Sequence, residues 1–566
     1  MQRIDLDGAP LLSDQELTRR WQTFHNAQYQ LSSRPGQQLI YSLLGHETRR
    51  FHAARAVASS LQKLRGNRRG LQTESHQRAS ASVFPVGYLS PTFPQEITPL
   101  DETHLLEGVV LVIIDQMDST ISTTIALLNE TVKTAHAPWL FLVDSTLAKS
   151  DYLATLAILL AHAHDGDDVV FADESGSNPS QPIFKSPVVG PHTLLSYNTI
   201  GRPALLRCAT VQDLGGFSLE AGRAFEHDLY LRMYESAKIF HHVAHVSSAG
   251  RPASSFSDQQ LTTDTLGVVR AAFTRRAIPA SVAIEPMGAS IRWTPLITAP
   301  LPSVDIIIPT RDRRDLLERC ITSIESSTTY RNFNIIILDN DSRDPATVAY
   351  LKNSNYRVVP CPGPFNYAKI MNKGVSSSSA DFVMTLNNDT IVFTPDWLEQ
   401  LVGLASLSDV GVVGVALLDE FDQHEHDGIV IAPYPQHLQF GRNYLPSVEV
   451  AHSIRNVVAV TGAVQMIRRS VWEELDGMDE SLRVVMNDVD LCLRAQLNNR
   501  FVVFTPFVKL YHHASSSRGQ LDPIEDRNRF VRRWDIFGDF QDPYFSESLQ
   551  ILGSSTYFRP RHQIQE

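Results

Sequence analysis

The stretch Phe382–Leu398 reads FVMTLNNDTIVFTPDWL. The apolar run FVMTL delivers two amides and a carboxylate, Asn387, Asn388 and Asp389, to the end of a strand, and a second apolar strand, IVF, follows after Thr390. In α/β sheets, ligands bind beyond the carboxyl ends of the strands. Oxygen donors at such a position suit a hard divalent cation, Mg²⁺ or Mn²⁺, that keeps some of its waters and also holds a diphosphate. A polar β-turn is the plainer reading of the same residues.

Upstream, Val304–Pro309 (VDIIIP) ends at Thr310-Arg311-Asp312, and Ile335–Leu338 ends at Asp339-Asn340-Asp341-Ser342. A carboxylate closing the second strand can accept hydrogen bonds from a ribose or a base N–H, although a turn-forming Asp reads equally well. No GxGxxG follows the first strand, so the dinucleotide-phosphate turn is missing.

Downstream, Asn487-Asp488 precedes VDLCLR, a helix start with Asn487 as N-cap. The positive helix end keeps a first-turn carboxylate ionised and also lowers its basicity; desolvation under substrate opposes the second effect. Asp490, turned away from Asp488, pairs with Arg494 at i,i+4, and simple capping is the plain alternative for the whole turn. Leu510–Gly519 (LYHHASSSRG) offers His512 and His513 as metal ligands and Arg518 to a phosphate. Adjacent histidines are more often structural, and no zinc-type spacing accompanies them.

The chain has 566 residues, which suggests three or four ordinary units or two large ones. Its 43% hydrophobic and 20% charged residues fit a globular protein, and a net charge of -12 argues against a generic nucleic-acid binder. No apolar run reaches the ~18 residues of a membrane span. MQRIDLDGAP lacks the features of a secretory signal. The four cysteines, Cys208, Cys320, Cys361 and Cys492, form no CxxC pair. The expectation is a soluble, cytoplasmic, multidomain α/β protein.

Two stretches follow one script. VVLVIID (Val109–Asp115) answers VDIIIP, and WLFLVDSTLAKSDYL (Trp139–Leu153) answers Phe382–Leu398. LGGFSLE (Leu214–Glu220) answers LDGMDES (Leu475–Ser481), and FEHDLYLR (Phe225–Arg232) answers MNDVDLCLR (Met486–Arg494). Ordered similarity of this kind indicates a tandem duplication. Strands alternating with helices indicate mostly parallel sheet. The expected division is a helical, partly flexible N-terminal region 1–100, a first α/β unit 101–292, a Pro-rich linker 293–303, a second unit 304–545 and a tail 546–566. Residues 48–73 contain no acid and seven basic side chains, with Phe51, Ala54, Ala58 and Leu61 at helical spacing. They read as a solvated helix packed on its own protein, or as a contact with anionic headgroups at the cytoplasmic face of the inner membrane.

Taken in order, VDIIIPTRDR, IIILDNDS, FNYAKIMNKG, TLNNDTIV, HDGIVIA, VTGAVQMIRRSVW, LDGMDES, NDVDLCLR and LYHHASSSRG closely resemble a glycosyltransferase family 2 domain of the GT-A fold. The match runs from Ser303 to about Gly519 and points to the bacterial subset that builds O-antigen and related surface polysaccharides, including rhamnosyltransferases. The resemblance implies a catalytic GT-A domain preceded by a degenerate GT-A-like copy. It implies that Thr310, Arg311 and Asp339 line the nucleotide pocket, with Asn366, Asn372, Asn387 and Asn388 near the donor. Asp389 would bind a Mg²⁺ or Mn²⁺ that bridges the donor diphosphate, with His512 or His513 as a further ligand. The family's aspartate-X-aspartate motif begins here with Asn387, which leaves one anion in it. Asp488 matches the general base, with Asn487 where Glu is usual. His426, Gly428, Thr461, Gly462, Asn487, His513 and Arg518 would border the sugar and acceptor.

The implied reaction is a single inverting displacement that moves a sugar from a nucleotide-diphosphate donor to a growing polysaccharide or lipid-linked glycan, with no nucleic acid involved. The rival is a catalytically inactive nucleotide-sugar-binding scaffold. In the first unit, Asp144 would align with Asp389 and Glu226 with Asp488, and His241-His242 loosely with the histidine pair. That copy reads as non-catalytic, the alternative being a second active transferase.

Overall fold

The computed structural model of the protein describes residues 108–114, 121–144, 149–174, 183–247, 258–286, 290–444, 446–513, 523–538, 540–552 and 555–558. The basic segment 48–73 and Arg518 lie outside the described residues. Among these residues no helix is long and apolar enough to cross a membrane.

In the first unit, β1 (Val109–Ile114), β2 (Trp139–Asp144), β3 (Val169–Glu174), β4 (Ala204–Arg207) and β5 (Phe240–Ser247) form one sheet in the order β1-β2-β4-β3-β5. The pairs β1/β2 and β3/β5 are parallel, and β4 runs antiparallel between them. An antiparallel hairpin, β6 (Ala280–Ile284) and β7 (Ile291–Pro295), leads out of the unit.

The second unit contains β8 (Val304–Thr310), β9 (Phe333–Asp339), β10 (Arg357–Pro360), β11 (Phe382–Leu386), β12 (Thr390–Val392) and β13 (Val410–Leu418). It continues through β14 (His424–His426), β15 (Ile429–Ile431), β16 (Pro435–His437), β17 (Arg455–Asn456), β18 (Val464–Arg468) and β19 (Phe501–His512). The main path is β10-β9-β8-β11-β18-β13-β19-β12. The strands β10, β9, β8 and β11 are mutually parallel, β18 is antiparallel to both neighbours, and β13 is parallel to β19. This is the α/β, mostly parallel architecture expected.

The strands read as apolar runs because helices cover both faces of the sheet. All nine residues of VGVVGVALL in β13 are buried. Ile306, Ile307 and Ile308 of β8 are fully buried as well, each contributing about 1.5–3 kcal/mol by leaving water. Within β13, Gly414 is required by packing: a Cβ there would stand 2.5 Å from Val460.

The path β8-β11-β18-β13-β19 repeats β1-β2-β4-β3-β5 strand for strand, in chain order and in direction. A side-chain latch repeats too. Asp490 accepts from Arg494 Nε at 2.8 Å, and the same guanidinium reaches the carbonyls of Leu475 and, at 2.7 Å, Gly477. In the first unit Asp228 accepts from Arg232 Nε at 2.8 Å, and Arg232 donates to the carbonyls of Leu214 and Gly216, both at 2.8 Å. The described first sheet ends at β1, whereas the second continues from β8 into β9 and β10. His241 and His242 sit at the start of β5, opposite Val170 and Phe171, where β19 carries Val502 and Val503. The loose equivalence of these histidines to His512-His513 therefore fails by register.

Two expected boundaries shift. Trp293, expected at the start of the linker, is fully buried in β7 and donates its indole N–H to Ser196 Oγ at 3.1 Å, so strand runs through Pro295. Beyond residue 545, Leu549 and Ile551 are buried beside Val430, Ala432 and Leu438 in a hairpin of β20 (Leu549–Leu552) and β21 (Ser555–Phe558). The units meet at Asn456, whose Oδ1 accepts from the backbone N–H groups of His192 (2.9 Å) and Thr193 (3.3 Å) at the start of helix Pro191–Ser196.

Candidate active site

Three loops at the carboxyl ends of parallel strands are tied together through Thr310. Its carbonyl accepts from Asn340 N–H at 3.0 Å after β9, and its hydroxyl accepts from Asn388 Nδ2 at 3.1 Å after β11. Asp312, in the left-handed region at φ 52°, accepts from the backbone N–H groups of Arg343 and, at 2.7 Å, Asp344. These backbone donors hold its carboxyl below the usual carboxylate range. Asp339 Oδ1 accepts from Ser342 N–H at 3.0 Å, shaping the second loop. Thr310, Asp339 and Asn388 are thus brought to one place, while Arg311 is half exposed with its Nε 4.0 Å from Asp312 Oδ2.

Asp389 and His512 meet across the β12/β19 pair, where Thr390 faces His512 in register. Asp389 is 1% exposed, and its Oδ1 stands 3.4 Å from His512 Nε2. Two ligands of an octahedral cation, each ~2.1 Å from it, stand ~3 Å apart, so this spacing fits a shared ion. His512 Nε2 is buried and makes no hydrogen bond of good geometry. The other ring nitrogen, Nδ1, lies 3.4 Å from Glu425 Oε2, and such a carboxylate orients the imidazole and raises its basicity as a ligand. Burial pushes the His512 pKa down, but the two carboxylates outweigh it and bring it up to about 9. His513 is directed elsewhere, its Nδ1 3.6 Å from Glu420. Geometry therefore separates the two histidines that sequence left open. Asn387 is buried and neutral, so Asp389 is the only anion of the turn.

Asp488 stands in the first turn of helix Asn487–Leu497. Its Oδ2 accepts from Gly462 N–H at 2.7 Å and its Oδ1 from Val489 N–H at 2.9 Å. The next residue, Ala463, accepts from Asn387 N–H at 2.9 Å, so Asp488 and the Asn387–Asp389 turn flank the same two residues of the β17–β18 connection. Asp490, by contrast, is fully buried on the opposite side, bonded to Arg494, Arg533 Nη1 (2.8 Å) and Trp534 Nε1 (3.0 Å). It serves packing, as its i,i+4 spacing to Arg494 indicated.

His426 is buried between His437, whose Nδ1 is 3.1 Å away, and Thr461 N–H, which donates to its Nε2 at 3.4 Å. Burial first, then the neighbouring His437, His512 and Arg455, holds its pKa well below the usual value, so His426 is neutral. Gly428 turns at φ 101°. Gly462 borders Asp488 directly, and Thr461 precedes it in the chain. Asn366 caps helix Tyr367–Ser376 and donates to Glu480 O at 2.9 Å, while Asn372 brackets Met478 with bonds of 2.8 Å to its N–H and carbonyl. Both amides thus hold the helix to the 478–480 turn.

Sequence reading missed Glu425 and Tyr367. Glu425 directly precedes the HDG run, and Tyr367, inside FNYAKIMNKG, donates to Gly462 O at 2.8 Å.

In the first unit, Glu226 stands where Asp488 does and is occupied: its Oε1 accepts from Arg202 Nε at 2.7 Å. The side chain of Asp144 lies outside the described residues.

Residues 305–475 match the sequence profile of Glycosyl transferase family 2. An uncharacterized protein of Sinorhizobium fredii is 30% identical over 456 residues, covering 75% of this chain and 50% of that protein. The O-antigen biosynthesis protein RfbC of Myxococcus xanthus is 32% identical over 423 residues, covering 70% of this chain and 32% of that one. An N-acetylglucosaminyl-diphospho-decaprenol L-rhamnosyltransferase of Mycobacterium tuberculosis is 24% identical over 237 residues, covering 37% of this chain and 74% of that one. The chain thus spans half the length of the first of these relatives and about a third of the second.

Proposed function

Starting from residues 305–475 as a family 2 glycosyltransferase domain, we propose that this protein is an inverting, divalent-cation-dependent sugar transferase of surface-polysaccharide assembly. Its donor is a nucleotide diphosphate sugar and its acceptor a glycan or lipid-linked glycan. The observation that carries this reading is the Asp389–His512 pair at 3.4 Å, with Asp488 on the far side of Gly462-Ala463. The names of the Myxococcus and Mycobacterium relatives support the substrate class.

Thr310, Asp339 and Asn388 bind the nucleoside end, while Asp389 and His512 are the residues that would hold the cation. When bound, that cation neutralises the charge developing on the departing diphosphate. Glu425 keeps His512 Nε2 turned toward Asp389 through the other ring nitrogen. The Gly462 and Val489 N–H groups fix the Asp488 carboxylate, and each oxygen retains a lone pair for a proton. Asp488 takes the proton of the acceptor hydroxyl as the new C–O bond forms. The nucleoside diphosphate leaves with the electron pair of the old bond, and the anomeric carbon inverts.

We read the first unit as a non-catalytic copy, because Arg202 neutralises Glu226 and its described sheet lacks counterparts of β9 and β10. The test is transfer and donor hydrolysis across nucleotide sugars, with and without Mn²⁺. Turnover that needs no divalent cation, or none with any donor that binds, would refute the proposal. Glu226→Gln is expected to leave turnover unchanged.

A further inference from the structure

At the other end of the first unit, three electron-pair donors converge. His164 Nδ1 lies 3.3 Å from His241 Nδ1 and 3.3 Å from Asp167 Oδ2, and His241 Nδ1 lies 2.8 Å from that same oxygen. The two imidazoles are stacked within 19° of parallel, their ring centroids 5.0 Å apart. With a proton on each Nδ1 both imidazoles can donate to Asp167 Oδ2, but the 3.3 Å approach of the two Nδ1 atoms is then left unsatisfied, whereas a cation among the three satisfies every contact. A triangle with these sides has a circumradius of about 1.8 Å, so a point ~2.05 Å from every corner exists just off its plane. That is the Zn–N and Zn–O bond length, and two imidazoles with one carboxylate form a zinc-type donor set with the fourth position open.

The ligands are held by a supporting shell. Arg207, stacked on Trp139 at 4.4 Å, donates to the carbonyls of Asp167 (2.6 Å) and His164 (3.0 Å) and clamps the loop that carries both. Asp167 is 6% exposed, and its Oδ2 also accepts from His164 N–H at 2.8 Å. Asp168 accepts from Ile239 N–H at 2.9 Å, tying this loop to the start of β5. Outer partners of this kind fix ligand orientation at metal sites.

We propose that His164, Asp167 and His241 form a zinc site that clips the loop before β3 to β5. His164 and His241 are 77 residues apart in the chain. The site lies where β3 and β5 begin, at the opposite end from the carboxyl-terminal strand ends that bind substrate in such sheets. It therefore lies apart from the transfer chemistry.

The test titrates zinc alone into chelator-stripped full-length protein, in excess Mg²⁺, against a chromophoric chelator. Wild type is expected to bind one zinc equivalent that is at least ~10-fold weaker in His164→Ala and in His241→Ala, since losing even an outer partner costs that much. The same equivalent should persist in His512→Ala, and zinc should raise the melting temperature of wild type but not of His164→Ala. The His164 side chain is 73% exposed, so that variant reports on zinc without threatening the fold. Unchanged zinc affinity in His164→Ala, or loss of the equivalent in His512→Ala instead, overturns the proposal.

Discussion

Replacing Asp488 with Asn changes the charge of the proposed base and almost nothing of its shape. An amide oxygen can still accept the Gly462 N–H that Oδ2 now accepts at 2.7 Å. The amide nitrogen then faces Val489 N–H, which loses its 2.9 Å acceptor at a helix start, costing about 1 kcal/mol of stability. The side chain no longer takes a proton, and removal of a general base costs ~10²–10⁴ in rate, or about 2.7–5.5 kcal/mol of activation free energy. The chemical loss therefore exceeds the structural one severalfold, and the two are separable. Initial rates at saturating Mn²⁺ and donor should fall by that factor, while donor binding, followed by thermal shift, stays near wild type. A variant rate within about threefold of wild type would refute Asp488 as the base, because that difference is under 1 kcal/mol.

Glu425→Gln should weaken Mn²⁺ activation by ~10–100-fold while lowering kcat at saturating metal far less; an unchanged metal requirement would remove Glu425 from that role. Asn456→Ala strips the acceptor from the buried N–H of His192 and the partly buried N–H of Thr193, and should cost about 2–4 kcal/mol in urea unfolding. A loss below ~0.5 kcal/mol would show that the contact between the units carries little stability. Asp542 is raised to about 7 by burial, which its bonds from backbone N–H groups offset only in part. The folded state therefore binds the extra proton between about pH 4 and 7, so stability falls as pH rises through that window and the full penalty is present above it. Melts at pH 5 and pH 8 should differ by a few kcal/mol more in wild type than in Asp542→Asn; equal differences would refute the buried acid.

The second unit was legible because strands covered on both faces must be apolar throughout. VDIIIP, FVMTL and VGVVGVALL therefore mark β8, β11 and β13 directly. Strand ends marked Thr310, Asp339, Asn388 and Asp389 for the same reason. Spacing along the chain could not choose between His512 and His513. The choice depends on strand alternation at the end of β19, which turns one ring toward Asp389 and the next toward Glu420. Glu425 was hidden because its value lies in reaching His512, far away in sequence. The pairing of the two units was legible in outline from LGGFSLE and FEHDLYLR. The neutralisation of Glu226 by Arg202 needed coordinates, since nothing in GRPALLR announces a partner 24 residues on.

The arginine that braces Asp490 and two carbonyls in one unit has a twin, Arg232, in the unit whose Glu226 is paired with Arg202. A feature present in both units answers to the architecture they share. A loss-of-activity screen would nonetheless flag Arg494, because tilting the helix it braces displaces Asp488 along with it. Separating the two kinds of hit takes a folding assay run beside the activity assay, and Arg232, altered in parallel, supplies the control that only a repeated architecture provides.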